Sequence, residues 1–102
     1  LELIVDGHGQ TVTIRVVGEL VASSCAALRD FVIGVVARQP HKVILDMSKT
    51  PFIDTSGLGV LVGLRATLRS RGIGLELANP SERVVRVFRL TRLAGVFGVP
   101  ED

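Results

Sequence analysis

The segment Asp54-Thr55-Ser56-Gly57 concentrates the groups in this chain that could do chemistry. A carboxylate, two hydroxyls and a glycine stand in a row, and the residues after them recur with helical spacing. Ser56 therefore falls at a helix start. A hydroxyl there can cap free backbone N–H groups. The same place also suits a phosphate, because unpaired N–H groups and the helix dipole both favour negative charge. Phosphorylation would add about −1.5 to −2 charges at neutral pH. If the loop and the Leu58/Val62 edge bind a partner, that charge would switch the interface off by repulsion and desolvation. On the residues alone, the cap and the phosphate acceptor both stand.

Other chemistries find less support. His8 sits in a turn and His41 in a loop beside Pro40, and neither has a second ligand at metal spacing. Cys25 lies on an apolar helical stripe without a flanking base, and as the single cysteine it excludes an internal disulfide. No Gly-x-Ser-x-Gly elbow occurs, and no histidine stands near Ser56 in sequence to act as its base. The glycines of Gly57-Leu58-Gly59-Val60-Leu61-Val62-Gly63, with Glu76 further on, superficially suggest a dinucleotide loop. They fall inside the helical segment rather than in the turn before it, and Glu76 is mid-strand. Val43-Ile44-Leu45-Asp46 before Pro51 resembles the phosphoacceptor strand of response-regulator receivers. Receivers also need an acidic pair after their first strand, whereas here that strand ends in Asp6-Gly7-His8. Asp46 reads as a strand-end residue capping its loop. No catalytic residue, metal ligand or cofactor is assigned.

Composition narrows the class. The chain has 102 residues, the length of one domain, with 47% hydrophobic and 22% charged residues. Mean hydropathy is +0.46, which rules out a disordered tail, and the length leaves no room for a two-lobed enzyme. Four Phe with no Trp or Tyr argue against base stacking on single-stranded nucleic acid. The pI of 9.3 rests on a net charge of only +2 and carries no nucleic-acid footprint. Apolar runs such as Phe31 to Ala37 fall far short of the ~20 residues that cross a bilayer. The opening residues show no charged-then-apolar signal pattern, although the sequence starts at Leu1 rather than Met and trimming at that end is expected, as is a reducing, cytoplasmic setting.

The elements that must position Ser56 follow from periodicity. Leu1, Leu3 and Val5, then Val12, Ile14 and Val16, alternate with other residues, which predicts two strands with one buried face each. Asp6-Gly7-His8-Gly9-Gln10 between them is short enough for a hairpin. Ser23 and Ser24 offer N-caps for a helix carrying Leu28, Phe31, Val32, Val35 and Val36 and ending near Arg38 and Pro40. Val43-Ile44-Leu45 predicts a central strand buried on both faces. A second helix is expected from about Ser56 to Ser70, a strand over Leu75 to Ala78, a third helix over Glu82 to Leu93, and an optional last strand over Val96 to Val99. The order β-β-α-β-α-β-α-(β) argues for an α/β fold, a mixed sheet with helices as crossovers.

At about 100° per residue the second helix shows three stripes. Gly57, Leu61, Leu64 and Leu68 form the face expected against the sheet. Gly59, Gly63, Ala66 and Ser70 form a stripe of small residues that would allow a neighbouring element to pack closely. Leu58, Val62, Arg65 and Arg69 form the third, read either as a protein-partner surface or as burial by the rest of the fold.

Three stretches then bear a family likeness. Val17-Gly18-Glu19-Leu20, Val43-Ile44-Leu45-Asp46-Met47 and Phe52-Ile53-Asp54-Thr55-Ser56-Gly57-Leu58-Gly59-Val60-Leu61 together resemble STAS domains. Within that family they look most like the bacterial anti-sigma factor antagonists. Asn79-Pro80, Val84, Val87-Phe88 and Leu90 to Leu93 match the usual final segment. The resemblance covers nearly the whole chain and implies a single STAS-like domain with a four- to five-stranded mixed sheet. It implies a switch and not an enzyme. The unphosphorylated protein would bind an anti-sigma factor with serine kinase activity and free a sigma factor. Phosphorylation would turn it off, and a serine phosphatase would restore it. The matching serine is Ser56; Thr55 is a neighbour outside the matching position. Asp54, Thr55 and Gly57 would shape the loop, and the Leu58/Val62/Arg65/Arg69 edge would contact the partner. ATP and magnesium would belong to the kinase, with no nucleic acid or membrane contacted directly. Val21 departs from the family pattern, which has Asp directly after the Gly-x-Leu of the second strand. Many relatives continue into a further helix, so truncation at Asp102 is expected. The alternative is a small nucleotide- or ligand-binding sensor module of a transporter or stress-signalling complex.

Overall fold

Val12, Ile14 and Val16 are buried while the residues between them are not, so Thr11–Val17 forms a strand, β2, with one face in the core. A computed structural model describes residues 1–7 and 9–99; the turn position His8 lies outside them. Strand β1, Glu2–Asp6, pairs antiparallel with β2, Glu2 opposite Val17 and Asp6 opposite Thr13, as the hairpin reading requires. Strand β3, Lys42–Asp46, runs parallel to β2, and β4, Gly74–Ala78, runs parallel to β3. The sheet order is β1-β2-β3-β4. Parallel neighbours need a crossover. Helix α1, Cys25–Val36, supplies the first and helix α2, Thr55–Ser70, the second. Among the described residues no helix is long and apolar enough to cross a membrane.

The burial pattern departs from the expected one at two strands. β1 was expected to bury a face, but it is the edge strand and only Leu3 is half-buried, with Ile4 and Val5 exposed. β3 was expected to be buried on both sides. Instead Val43 and Leu45 are buried and Ile44 is half-buried. The other face of the sheet is charged, with Lys42 Nζ 3.1 Å from Glu76 Oε1 and Arg15 Nε 3.7 Å from Asp46 Oδ2. A continuous apolar run thus marks a strand with one face in the core and the other half-covered.

The C-terminal third also differs. The helix expected over Glu82 to Leu93 stops at Leu90, giving α3, Glu82–Leu90, and a short helix, α4, Ala94–Phe97. Arg92 adopts φ +61°; its N–H donates to Arg89 O at 3.1 Å, and the Leu93 N–H reaches Phe88 O at 2.9 Å. This paired termination usually places glycine at the left-handed position. The optional strand over Val96 to Val99 does not form. Val96 and Phe97 lie in α4, and Gly98 at φ +72° closes it, with the Val99 N–H donating to Ala94 O. Phe88 and Phe97 meet edge-to-face at 5.2 Å between ring centroids, so the break lets the chain fold back onto α3.

The core joins the inner sheet face to Leu28, Val32, Val35 and Val36 of α1, Leu61, Leu64 and Leu68 of α2, and Val84 and Phe88 of α3. Burial of each such side chain is worth about 1.5–3 kcal/mol. The α2 face predicted from periodicity, including Gly57, is the buried one. The small-residue stripe is not packed on anything: Gly59, Gly63, Ala66 and Ser70 are exposed, and a Cβ at Gly59 or Gly63 would meet nothing within 4 Å.

Candidate functional site

The start of α2 is held by two chain segments zipped side by side. Gly18 N–H donates to Lys49 O at 3.0 Å, Leu20 N–H to Phe52 O at 3.0 Å, and Asp54 N–H to Leu20 O at 3.2 Å. Leu20 and Ile53 form an isolated parallel bridge. Beneath them the buried Thr50 hydroxyl donates to Val16 O at 2.7 Å. Ser81, the N-cap of α3, donates its hydroxyl to Thr50 O at 3.1 Å. Among the described residues no buried side-chain nitrogen or oxygen is left without a hydrogen-bond partner.

Asp54 is the N-cap of α2. Its Oδ1 accepts from the Gly57 N–H at 2.8 Å, and its Oδ2 accepts from the Ala22 N–H at 3.2 Å, just before α1. One carboxylate therefore fastens the starts of both crossover helices. Gly57 has no room for a side chain: a Cβ would fall inside contact distance of the Leu20 carbonyl oxygen and 3.1 Å from its carbon. Ser24, expected to cap α1, turns backward. Its hydroxyl accepts from the Val21 N–H at 3.0 Å and lies 2.9 Å from Glu19 O, and it makes no forward cap.

With Asp54 as cap, Thr55 and Ser56 occupy the first two helical positions, and both are exposed. Among the described residues the Ser56 hydroxyl has no hydrogen-bond partner. Capping is thus done by the aspartate two residues earlier. Ser56 lines a groove between α1 and α2 of about 420 Å³, shared with Cys25, Arg29, Ile33, Val60, Gly63, Leu64 and Thr67. Burial, and next the Asp54 carboxylate, push the Cys25 thiol above its ordinary pKa, and Arg29 offsets this only in part. A thiol so held is a poor nucleophile.

The residues read as a partner edge go elsewhere. Leu58 is 8% exposed and belongs to the core, while Val62 is 41% exposed. Arg65 and Arg69 line a second cleft with Gly72, Ile73, Gly74, Leu75 and Val96. At about 100° per residue, Ser56, Val60, Gly63 and Thr67 share one flank of α2, and Val62, Arg65 and Arg69 lie roughly half a turn away. Sequence reasoning names Cys25, Gly63 and Leu64 for other roles and misses Arg29, Ile33 and Thr67, although Val60, Gly63 and Thr67 repeat Ser56 at helical spacing. The α1 side of the groove had no sequence signal.

Asp46 is fixed structurally at the end of β3. Burial raises its pKa, but hydrogen bonds from the Ser48 N–H at 3.0 Å, the Ser48 hydroxyl and the Asn79 amide, with the Arg15 charge, bring the carboxyl below its ordinary value. It caps its own loop.

A four-stranded mixed sheet with two crossover helices, and a bare serine in the first turn of the second beside a shallow groove, defines a small α/β module. Residues 2–101 match the STAS domain family, and the chain belongs to that family. The anti-sigma-B factor antagonist of Bacillus subtilis (strain 168) is 28% identical over 88 residues, covering 86% of this chain and 80% of that protein. The unphosphorylated form of the anti-sigma factor antagonist SpoIIAA superposes with a TM-score of 0.79 at 25% identity, over 92% of this chain and 84% of that one. An anti-sigma factor antagonist from Mycobacterium paratuberculosis shares the fold with a TM-score of 0.85 at 24% identity, over 99% and 86% of the two chains.

Proposed function

We propose that this protein is an anti-sigma factor antagonist that works in the cytoplasm as a phosphorylation-controlled binding module, with no turnover of its own. The observation that carries the proposal is Ser56: an exposed, unpartnered hydroxyl in the first turn of α2, on the rim of the α1–α2 groove. The antagonist relatives, and SpoIIAA in particular as a protein with a named unphosphorylated form, support the same reading. In it the unmodified face binds an anti-sigma factor that is also a serine kinase, and a sigma factor is freed. The kinase transfers the γ-phosphoryl group of ATP to Ser56 Oγ, the bond to ADP breaks, and the hydroxyl proton leaves to a base of the kinase. A serine phosphatase reverses the modification by hydrolysis.

A partner lying across the exposed arc of α2 reaches Ser56 and Val60 on one flank and Val62, Arg65 and Arg69 on the other. Leu58 supports that arc from beneath, and Asp54, Thr55 and Gly57 set the pose of the loop. Val21 is half-buried next to Ala22, whose N–H the Asp54 carboxylate accepts, so the departure from the family's aspartate falls beside this hub. The test is incubation with the cognate kinase and ATP, followed by mapping of the phosphate. Label confined to Ser56, lost in Ser56→Ala, with loss of anti-sigma factor binding on modification, is the expected result. Full binding by the modified protein would sink the proposal.

A further inference from the structure

The groove beside Ser56 has walls that cannot solvate a phosphate. Ile33, Val60, Gly63 and Leu64 contribute carbon surface, and Ile33 is 41% exposed at its mouth. Of the residues lining the groove, Arg29 is the one that carries a positive charge. It stands one helical turn after Cys25 on α1, and the Cys25 thiol is acted on by both Asp54 and Arg29. Ser56, in the first turn of α2, and Arg29, on α1, thus line the same groove from its two sides. Resting on the reading of Ser56 as a phosphate acceptor, we propose that Arg29 receives the phosphate: the group on Ser56 leans across the α1–α2 groove and is held by the Arg29 guanidinium.

Two forces set that direction. The Asp54 carboxylate stands two residues before Ser56, and both its oxygens are engaged by backbone N–H groups, so it cannot swing away. A dianion on Ser56 is repelled from the loop side. On the far side Arg29 offers a planar fork suited to two phosphate oxygens. Its present ion pair is with its sequence neighbour Asp30 at 3.5 Å, where both side chains are largely exposed, and such a pair is readily exchanged. Helix α2 carries no acidic residue to compete for the guanidinium. The charged groups that bear on the phosphate are thus Arg29 in the groove, Asp30 as its present partner, and Asp54 at the cap of α2. The captured phosphate fills the mouth of the groove, so a partner loses the serine and the groove together.

The test places phosphoserine at position 56 of the full chain by genetic encoding, which removes any dependence on a kinase, and follows the phosphate by ³¹P NMR against pH. The second ionisation of phosphoserine lies near pKa 6. Removing Arg29 in Arg29→Ala should raise it by up to about half a unit, the size an exposed ion pair supports. Arg29→Lys should keep part of the effect, and Arg65→Ala, on the other flank of α2, should leave the titration unchanged. Superimposable titrations for the native and Arg29→Ala proteins would overturn the assignment of Arg29. Undiminished anti-sigma factor binding by the phosphorylated native chain would instead overturn the functional reading, so the two failures are separate.

Discussion

Two glycines six residues apart on α2 should respond to the same substitution with opposite signs. At Gly57 a new Cβ meets the Leu20 carbonyl, with its carbon at 3.1 Å and the Leu20 Cγ also at 3.1 Å. That carbonyl cannot yield freely, because it accepts the Asp54 N–H at 3.2 Å and sits in the bridge to Ile53. Forcing a methyl into such a contact costs about 1–3 kcal/mol. Separating the strands loses a further hydrogen bond of about 1 kcal/mol. The gain in helix propensity from glycine to alanine offsets up to about 1 kcal/mol. The net expectation for Gly57→Ala is destabilisation of about 2 kcal/mol, or a fall in Tm of roughly 8–16 °C for a domain of this size. At Gly63 a Cβ meets nothing within 4 Å, so Gly63→Ala keeps the propensity gain and should raise stability by up to about 1 kcal/mol. Thermal and urea unfolding of the two variants beside the native chain measure both effects. A neutral or stabilising Gly57→Ala would refute the reasoning, because it would mean that the 18–22 and 49–54 segments are not held against each other as described.

Three other perturbations have defined outcomes. Asp54→Ala removes the cap of α2 and the tie to Ala22 together and should cost about 1–2 kcal/mol in urea unfolding, whereas Asp54→Asn, which keeps an oxygen acceptor, should cost less. Asp46 has its carboxyl held below the ordinary value, so its contribution is fully present above the unfolded-state pKa and fades as pH falls through the lowered folded-state value. Urea midpoints measured down the acid range should therefore fall more steeply for the native chain than for Asp46→Asn. Arg92 closes α3 at φ +61°, a region costly for a side-chain-bearing residue, and Arg92→Gly should gain up to about 1 kcal/mol, read as a higher Tm.

These positions also mark where the sequence could be read and where it could not. Helical periodicity located the buried face of α2 because Gly57, Leu61, Leu64 and Leu68 repeat cleanly and the sheet accepts them all. The break between α3 and α4 was hidden because Arg92 occupies the left-handed position where glycine would have announced it. The end of α2, which uses the same termination, has Gly72 there at φ +73° and was placed correctly. Val96 to Val99 suggested a strand by composition, but four residues carry too little periodicity to separate a strand from one helical turn. At the site, Ser56 was legible from its neighbours. Its setting was not, since the other wall of the groove comes from α1, about thirty residues earlier. Leu58 was placed on a possible contact edge by angle alone, and only the assembled fold buries it.

The Asp54 carboxylate, gripping the Ala22 and Gly57 N–H groups at once, acts as a rivet between the turn before α1 and the first turn of α2. Its consequence is mechanical. The Asp54 side chain and the backbone bonds from Leu20 to Phe52 and from Asp54 to Leu20 together tie the chain before α1 to the start of α2, so the groove has one end that is firmly held. A binding face with one clamped edge is already in shape before anything arrives and gives up little conformational freedom on contact. A phosphate at that clamped end would then add charge and fill the mouth of the groove without any need to move the two helix starts.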